Sequence, residues 1–204
     1  MREKDFRALK GWVDYDRPQL GNLTKSQEIR YFVRRVKRTV LRPLRRMCRD
    51  DRRGWKFESP MLCFGTCICC AIEALGKFQT GRLGSGNSAS NFKSFVQDYM
   101  DSGWFAKRFA GKPYVDHLRD SFRNGLAHGF TIKRGGFERH ASYFQVKPVP
   151  VGGVQQLELD PDSVLGDFKA GFSKFVADVS AAKDTDPVYQ RFHSAFQGIF
   201  VLGQ

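Results

Sequence analysis

Residues 59–77 read SPMLCFGTCICCAIEALGK. A capping hydroxyl at Ser59 followed by proline at the first helical position starts a helix, because the serine oxygen accepts from an otherwise orphaned N–H and proline has none to satisfy. The run that follows is apolar on nearly every face, which predicts a helix buried at the centre of a helical assembly. Glu73 is its one ionisable residue before Lys77, and it interrupts the run short of the ~18 uninterrupted apolar residues that suggest a membrane span. An unpaired carboxylate inside an apolar surround costs several kcal/mol or stays protonated, so Glu73 requires a cation. Lys77, one turn on, is a partner that spacing supplies.

Four of the five cysteines, Cys63, Cys67, Cys69 and Cys70, fall in the same run. On a helix Cys63, Cys67 and Cys70 share a face and Cys69 looks elsewhere, a poor framework for disulfides. Zinc sites draw thiolates mostly from loops, and Cys-Ile-Cys-Cys matches none of the usual pairs, so no metal is expected. The expectation is free, buried thiols in a reducing compartment.

Upstream, Thr24-Lys25-Ser26-Gln27 offers a capping box, and Ile29, Phe32, Val33, Val36, Val40, Leu44 and Met47 recur at helical spacing. Pro43 should kink or break this first helix near Leu41. The segment is also the most cationic in the chain. Residues 25–56 hold thirteen Lys or Arg against Glu28, Asp50 and Asp51, so they carry about ten of the net charge of +13. Most are arginine, whose planar fork suits phosphate better than lysine does. Arg34, Arg35, Lys37, Arg38, Arg42, Arg45, Arg46 and Arg49 are therefore the candidate contacts to a phosphate backbone or an acidic partner.

Downstream, residues 81–91 (GRLGSGNSASN) read as a flexible loop without the strand and Gly-Lys-Ser/Thr ending of a phosphate loop. A third helix is expected over residues 92–100. A fourth starts near Pro113, carries Val115, Leu118, Phe122 and Leu126 on one stripe, and is capped by Gly129. Residues 130–133 and 139–146 then alternate around Arg134-Gly135-Gly136, a hairpin pattern, and residues 154–159 could add a strand after breaks at Pro148 and Pro150. Helical spacing returns at Ser163, and a final helix starts at Asp186-Pro187. The expected fold is mainly α, a helical bundle with a small antiparallel hairpin or sheet inserted after the fourth helix. Its parts are a basic helical extension (1–58), the bundle core (59–129), the β insertion (130–160) and the C-terminal helices (161–204).

The chain has 204 residues, 41% of them apolar and 14% aromatic, enough for a well-filled core. Its surface field favours polyanions. The start, MREKDFRALK, lacks the apolar centre of a secretory signal, and a cytoplasmic protein without a membrane partner is expected.

The fourth helix ends Arg123-Asn124-Gly125-Leu126-Ala127-His128. An Arg followed by His a few residues later is weak by itself, since roughly one such match arises by chance in a chain of this composition. Arg134 and His140 provide a second, but they straddle the expected Gly-Gly turn. The Asn directly after Arg123, the amphipathic helix and the glycine cap set the first apart. One turn separates Asn124 from His128, with Arg123 beside them.

Here the chain resembles the HEPN superfamily, helical bundles marked by Arg, a polar residue that is often Asn, a few small or aliphatic residues, and His. The resemblance rests on residues 123–128 and, more loosely, on the helices of residues 60–129. It implies an endoribonuclease needing neither metal nor cofactor, acting on RNA as a homodimer, in toxin, phage-defence or CRISPR systems with an antitoxin or defence partner. In that setting Arg123 and His128 would be catalytic, Asn124 would orient them, and Glu73 would be the acid on an earlier helix that contacts Arg123. His128 would exchange protons with the ribose 2′-OH or the leaving 5′-oxygen, and Arg123 would hold the charge developing on phosphorus. Because fold does not fix function, a non-catalytic RNA- or protein-binding module is the alternative. A peripheral membrane role for the basic helix is a third reading.

Overall fold

A computed structural model describes residues 20–52, 61–124, 135–137, 146–151 and 154–203. The fold is mainly helical, with a small sheet following the fourth long helical stretch.

Helix α1 (Lys25–Val36) opens on Thr24, whose backbone N–H donates to the Gln27 side chain at 2.9 Å. Pro43 does not break the helix. The chain widens into a π-helical turn, Lys37–Leu41, and continues as α2 (Arg42–Arg52). A proline ring clashes with the carbonyl four residues back and removes one N–H, and a widened turn just before it relieves both. The Thr39 hydroxyl also donates to the Arg35 carbonyl at 2.8 Å within this turn.

Helix α3 (Met61–Thr80) is the central element. By length and composition it could cross a membrane, so Glu73 interrupts the run less than expected. More than half of its apolar window is buried inside the protein. It packs chiefly against α4 (Ser88–Tyr99), and the two backbones meet at Gly76, where an added Cβ would lie 2.0 Å from the Asn91 carbonyl oxygen. Asn91 itself is buried, accepting from the Thr80 hydroxyl at 2.6 Å and donating to the Arg82 carbonyl at 2.8 Å. That anchoring starts α4 earlier than composition suggests, and the expected loop of residues 81–91 shrinks to residues 81–84 and a single 3₁₀ turn, Ser85–Asn87.

A short helix α5 (Gly103–Ala106) precedes a two-residue hairpin, β1 (Arg108–Phe109) with β2 (Lys112–Pro113). Ala110 and Gly111 both have positive φ, +47° and +79°, the backbone that suits a tight hairpin. Helix α6 (Tyr114–His117) then runs into a second π-helical segment, Leu118–Asn124.

The sheet comprises β3 (Gly135–Phe137), β4 (Val146–Val151) and β5 (Val154–Leu159). β4 and β5 form an antiparallel pair and β3 joins β5 from the other side in parallel, whereas the hairpin expected between residues 130–133 and 139–146 lies almost wholly outside the described residues. Gly135 and Gly136 are thus strand residues opposite Leu157 and Glu158, where a turn was expected. Glycine supplies the ladder's N–H and C=O as well as any residue, and Phe137 anchors the strand by packing on Phe64 and Phe122. Pro148 and Pro150 lie inside β4 and do not end it. They are two residues apart on an edge strand, so both nitrogens point the same way, and the edge tolerates the missing donors.

Helix α7 (Pro161–Ala181) is capped by Asp160, whose carboxylate accepts from the Asp162 and Ser163 amides. Helix α8 (Pro187–Phe196) follows and ends in a third π-helical stretch, Gln197–Leu202. The core is strongly aromatic. Phe32 of α1 lies 4.5 Å from Phe78 of α3, 5.2 Å from Phe192 of α8 and 6.2 Å from Phe175 of α7, ring to ring, so one side chain ties four helices together.

The cysteines depart from expectation. Cys48 and Cys69 are buried, but Cys63, Cys67 and Cys70 are exposed free thiols on the one face of α3 that none of the described residues covers.

Candidate functional site

Val115, Leu118 and Phe122 are buried and hold α6 and its π-helical continuation against the core. Cys69 of α3 fastens the same segment, its thiol 3.8 Å from the Leu118 carbonyl. These contacts turn Arg123 toward α3. Its Nη2 donates to Glu73 Oε2 at 3.0 Å and lies 3.4 Å from the Ser88 hydroxyl at the start of α4, while Nη1 donates to Asn124 Oδ1 at 3.0 Å. Glu73 therefore pairs with Arg123, fifty residues away, and not with Lys77.

The pair is mostly shielded, with side-chain exposures of 22% for Arg123 and 14% for Glu73. About a fifth of the Arg123 side chain stays exposed, and the carboxylate sets its orientation. Arg123 Nε is buried without a hydrogen-bond partner among the described residues. The Cys70 thiol feels the same ion pair. Burial pushes its pKa up, Arg123 draws it down and Glu73 raises it. Three of the four residues expected at the catalytic centre, Glu73, Arg123 and Asn124, are thus brought together. His128 lies outside the described residues, as do Gly125, Leu126, Ala127, Gly129 and the competing Arg134 and His140.

The expected RNA contacts form a separate surface. Arg38, Arg42, Arg45, Arg46 and Arg49 surround a cleft of about 480 Å³ beside Pro43. A larger open groove of about 1020 Å³ continues along α1, sharing Arg38 and Arg42 and adding Arg34 and Lys37 together with Lys25 and Arg30, which sequence reading passed over. Arg35 does not join them. It turns to the opposite side, 3.4 Å from the Tyr31 hydroxyl and over the Phe200 ring at 5.3 Å. The residues lining the two grooves include none of those around Arg123.

A second polar centre was not anticipated. Glu28 is fully buried, and its carboxylate accepts from the Tyr189 hydroxyl at 3.0 Å, from Gln197 Nε2 at 3.0 Å and from His193 Nδ1 at 2.9 Å. These bonds tie α1 to α8 and its π-helical continuation, and burial with the adjacent carboxylate pushes the Tyr189 hydroxyl pKa up. The sequence does hold a signal. Glu28 lies four residues before Phe32 and eight before Val36, on the buried stripe of α1. His117 serves structure, with Nε2 2.8 Å from the Phe109 carbonyl and its ring against Phe109.

Compared with known proteins, the chain matches no family model, no curated protein and no solved structure.

Proposed function

We propose that this chain is a HEPN-type endoribonuclease that cleaves RNA without a metal ion. The observation that carries the reading is the Glu73–Arg123–Asn124 cluster, in which a carboxylate on the central helix holds the motif arginine at the end of the motif helix. Arg123 would contact the scissile phosphate through its remaining surface and stabilise the charge that builds on its oxygens. A His128 imidazole would take the proton from the 2′-OH as that oxygen attacks phosphorus, and a second would protonate the departing 5′-oxygen, leaving a 2′,3′-cyclic phosphate and a 5′-hydroxyl. One chain supplies one His128, so two copies facing each other would supply both proton transfers. The five-arginine cleft beside Pro43 would hold the rest of the RNA backbone. Action as a toxin or phage-defence effector in the cytoplasm belongs to this proposal.

The test is cleavage of a mixed RNA pool by the whole chain. His128→Ala or Arg123→Ala abolishes cleavage while the helical circular-dichroism signal is retained, and unchanged cleavage by both variants overturns the assignment. One observation favours a non-catalytic RNA- or protein-binding module instead. Both terminal nitrogens of Arg123 already have protein partners, as in a purely structural arginine. Salt-dependent RNA binding with no product over prolonged incubation selects that reading.

A further inference from the structure

The larger groove along α1 differs in chemistry from the arginine cleft it joins. Its floor is apolar, made by Ile29 and Val33, one turn apart and packed against the core from the groove side. Its walls are cationic. Lys25, Arg30, Arg34 and Lys37 line it, against one carboxylate, Asp184, which pairs with Lys25 at 3.6 Å. Among the described residues Arg30, Arg34, Lys37 and Arg42 meet no carboxylate. Among the described residues these four cations are therefore unneutralised, and the groove is amphipathic.

We propose that this groove is the docking site for an acidic amphipathic helix of a partner protein. An apolar row with cations on either side is the complement of a helix whose leucine-like residues repeat every three to four positions and are flanked by Glu or Asp. A nucleic-acid backbone makes a poorer occupant of this particular groove. Phosphates gain nothing from Ile29 and Val33, and none of the lining residues is aromatic, so bases have no ring to stack on. A second copy of the chain, at net +13, brings little negative charge to neutralise this groove. The five-arginine cleft, without an apolar floor, is where phosphate fits. Because the groove and the cleft share Arg38 and Arg42, a helix seated in the groove covers two arginines of the cleft and lowers affinity for any polyanion held there.

The test uses the whole chain and a fluorescein-labelled synthetic helix with leucine at heptad a and d positions and glutamate at e and g, read by anisotropy. Probes for comparison are the same residues in scrambled order, a fluorescein-labelled hairpin RNA and vesicles of phosphatidylserine and phosphatidylcholine. The amphipathic peptide binds at least about tenfold more tightly than its scramble, a gap of about 1.4 kcal/mol. Val33→Glu or Ile29→Glu, both at partly exposed positions, weakens the peptide by a similar factor and leaves the hairpin RNA within twofold. Arg45→Gln/Arg46→Gln, outside the groove, does the reverse. Equal binding of the scramble, indifference of the peptide to both floor variants, or vesicle binding that depends on Val33 while the peptide does not bind, overturns the proposal. Because RNA cleavage is not the readout, an inactive Arg123 site leaves the result unaffected.

Discussion

Arg123 and Glu73 are separated by fifty residues in sequence and by 3.0 Å in the fold. This bond joins the central helix to the π-helical segment Leu118–Asn124, with Asn124 holding the other side of the guanidinium. Removing either charge strips a charge-assisted bond from a mostly shielded place, at a cost of about 1–3 kcal/mol. Removing both leaves no unpaired charge. Glu73→Gln and Arg123→Met should each lower the midpoint of urea unfolding, and the double variant should lose less than the two losses combined, with a coupling of about 1 kcal/mol or more. Strict additivity would mean that the bond contributes nothing in solution.

Gly76 and Gly166 are both helical glycines with opposite surroundings. At Gly76 an added Cβ meets backbone, the Asn91 carbonyl oxygen at 2.0 Å, and neither helix can give way without breaking the α3–α4 contact. Gly76→Ala should therefore destabilise by more than about 3 kcal/mol, beyond the range of ordinary overpacking. At Gly166 nothing lies within 4 Å of the new atom, and Gly166→Ala should stabilise by up to about 1 kcal/mol through helix propensity. Thermal unfolding of both variants checks the contrast, and a shared sign of effect would contradict the packing at α3 and α4.

Thiol chemistry separates the cysteines on α3. Cys63, Cys67 and Cys70 are exposed, whereas Cys69 and Cys48 are buried. Native protein should consume three equivalents of a disulfide reagent, and five in guanidinium. Burial pushes the Cys67 pKa up, with Cys63 and Cys70 adding to it, so labelling at neutral pH should be slower than for a free thiol and accelerate above pH ~9. Five equivalents under native conditions would place Cys48 and Cys69 at the surface.

The order of helices was legible because apolar periodicity and caps are local properties, as at Thr24 and at Asp186-Pro187. The hairpin turn at Gly135-Gly136 was misread because glycine has no side chain to report whether its backbone pairs. Ala110-Gly111 was passed over because alanine rarely takes the positive φ that this hairpin gives it. At the candidate site the sequence identified Glu73 as a charge in need of a partner but left Lys77 and Arg123 both open, since the choice depends on how α3 and the motif helix pack. Glu28 shows the same limit more sharply. Its position on a buried stripe is readable, but its three donors come from α8 and the π-helical stretch after it, more than 150 residues away. The exposed thiol face of α3 could not be read either, because an all-round apolar helix does not disclose which side its neighbours leave uncovered.

Asp167 supplies a pH dependence with a definite sign. Its carboxylate is half-buried on α7 and accepts from the Trp104 indole N–H at 3.1 Å. Burial raises its pKa from 3.8 to about 6, the indole bond pulls against that, and the neighbouring Asp101 adds to it. A raised value means that the folded state holds this proton more tightly than the unfolded chain does. Its stabilising contribution is thus complete below pH ~3.8 and lost as pH rises through about 6. Asp167→Asn keeps an oxygen to accept the indole bond and has no charge to desolvate. The variant should match the parent in melting temperature near pH 4 and exceed it increasingly up to pH ~7, where the difference levels off. Taking the difference between the two proteins at each pH cancels the titration of every other group, and a difference that stays flat from pH 4 to 7 would show that Asp167 is solvated in the folded state.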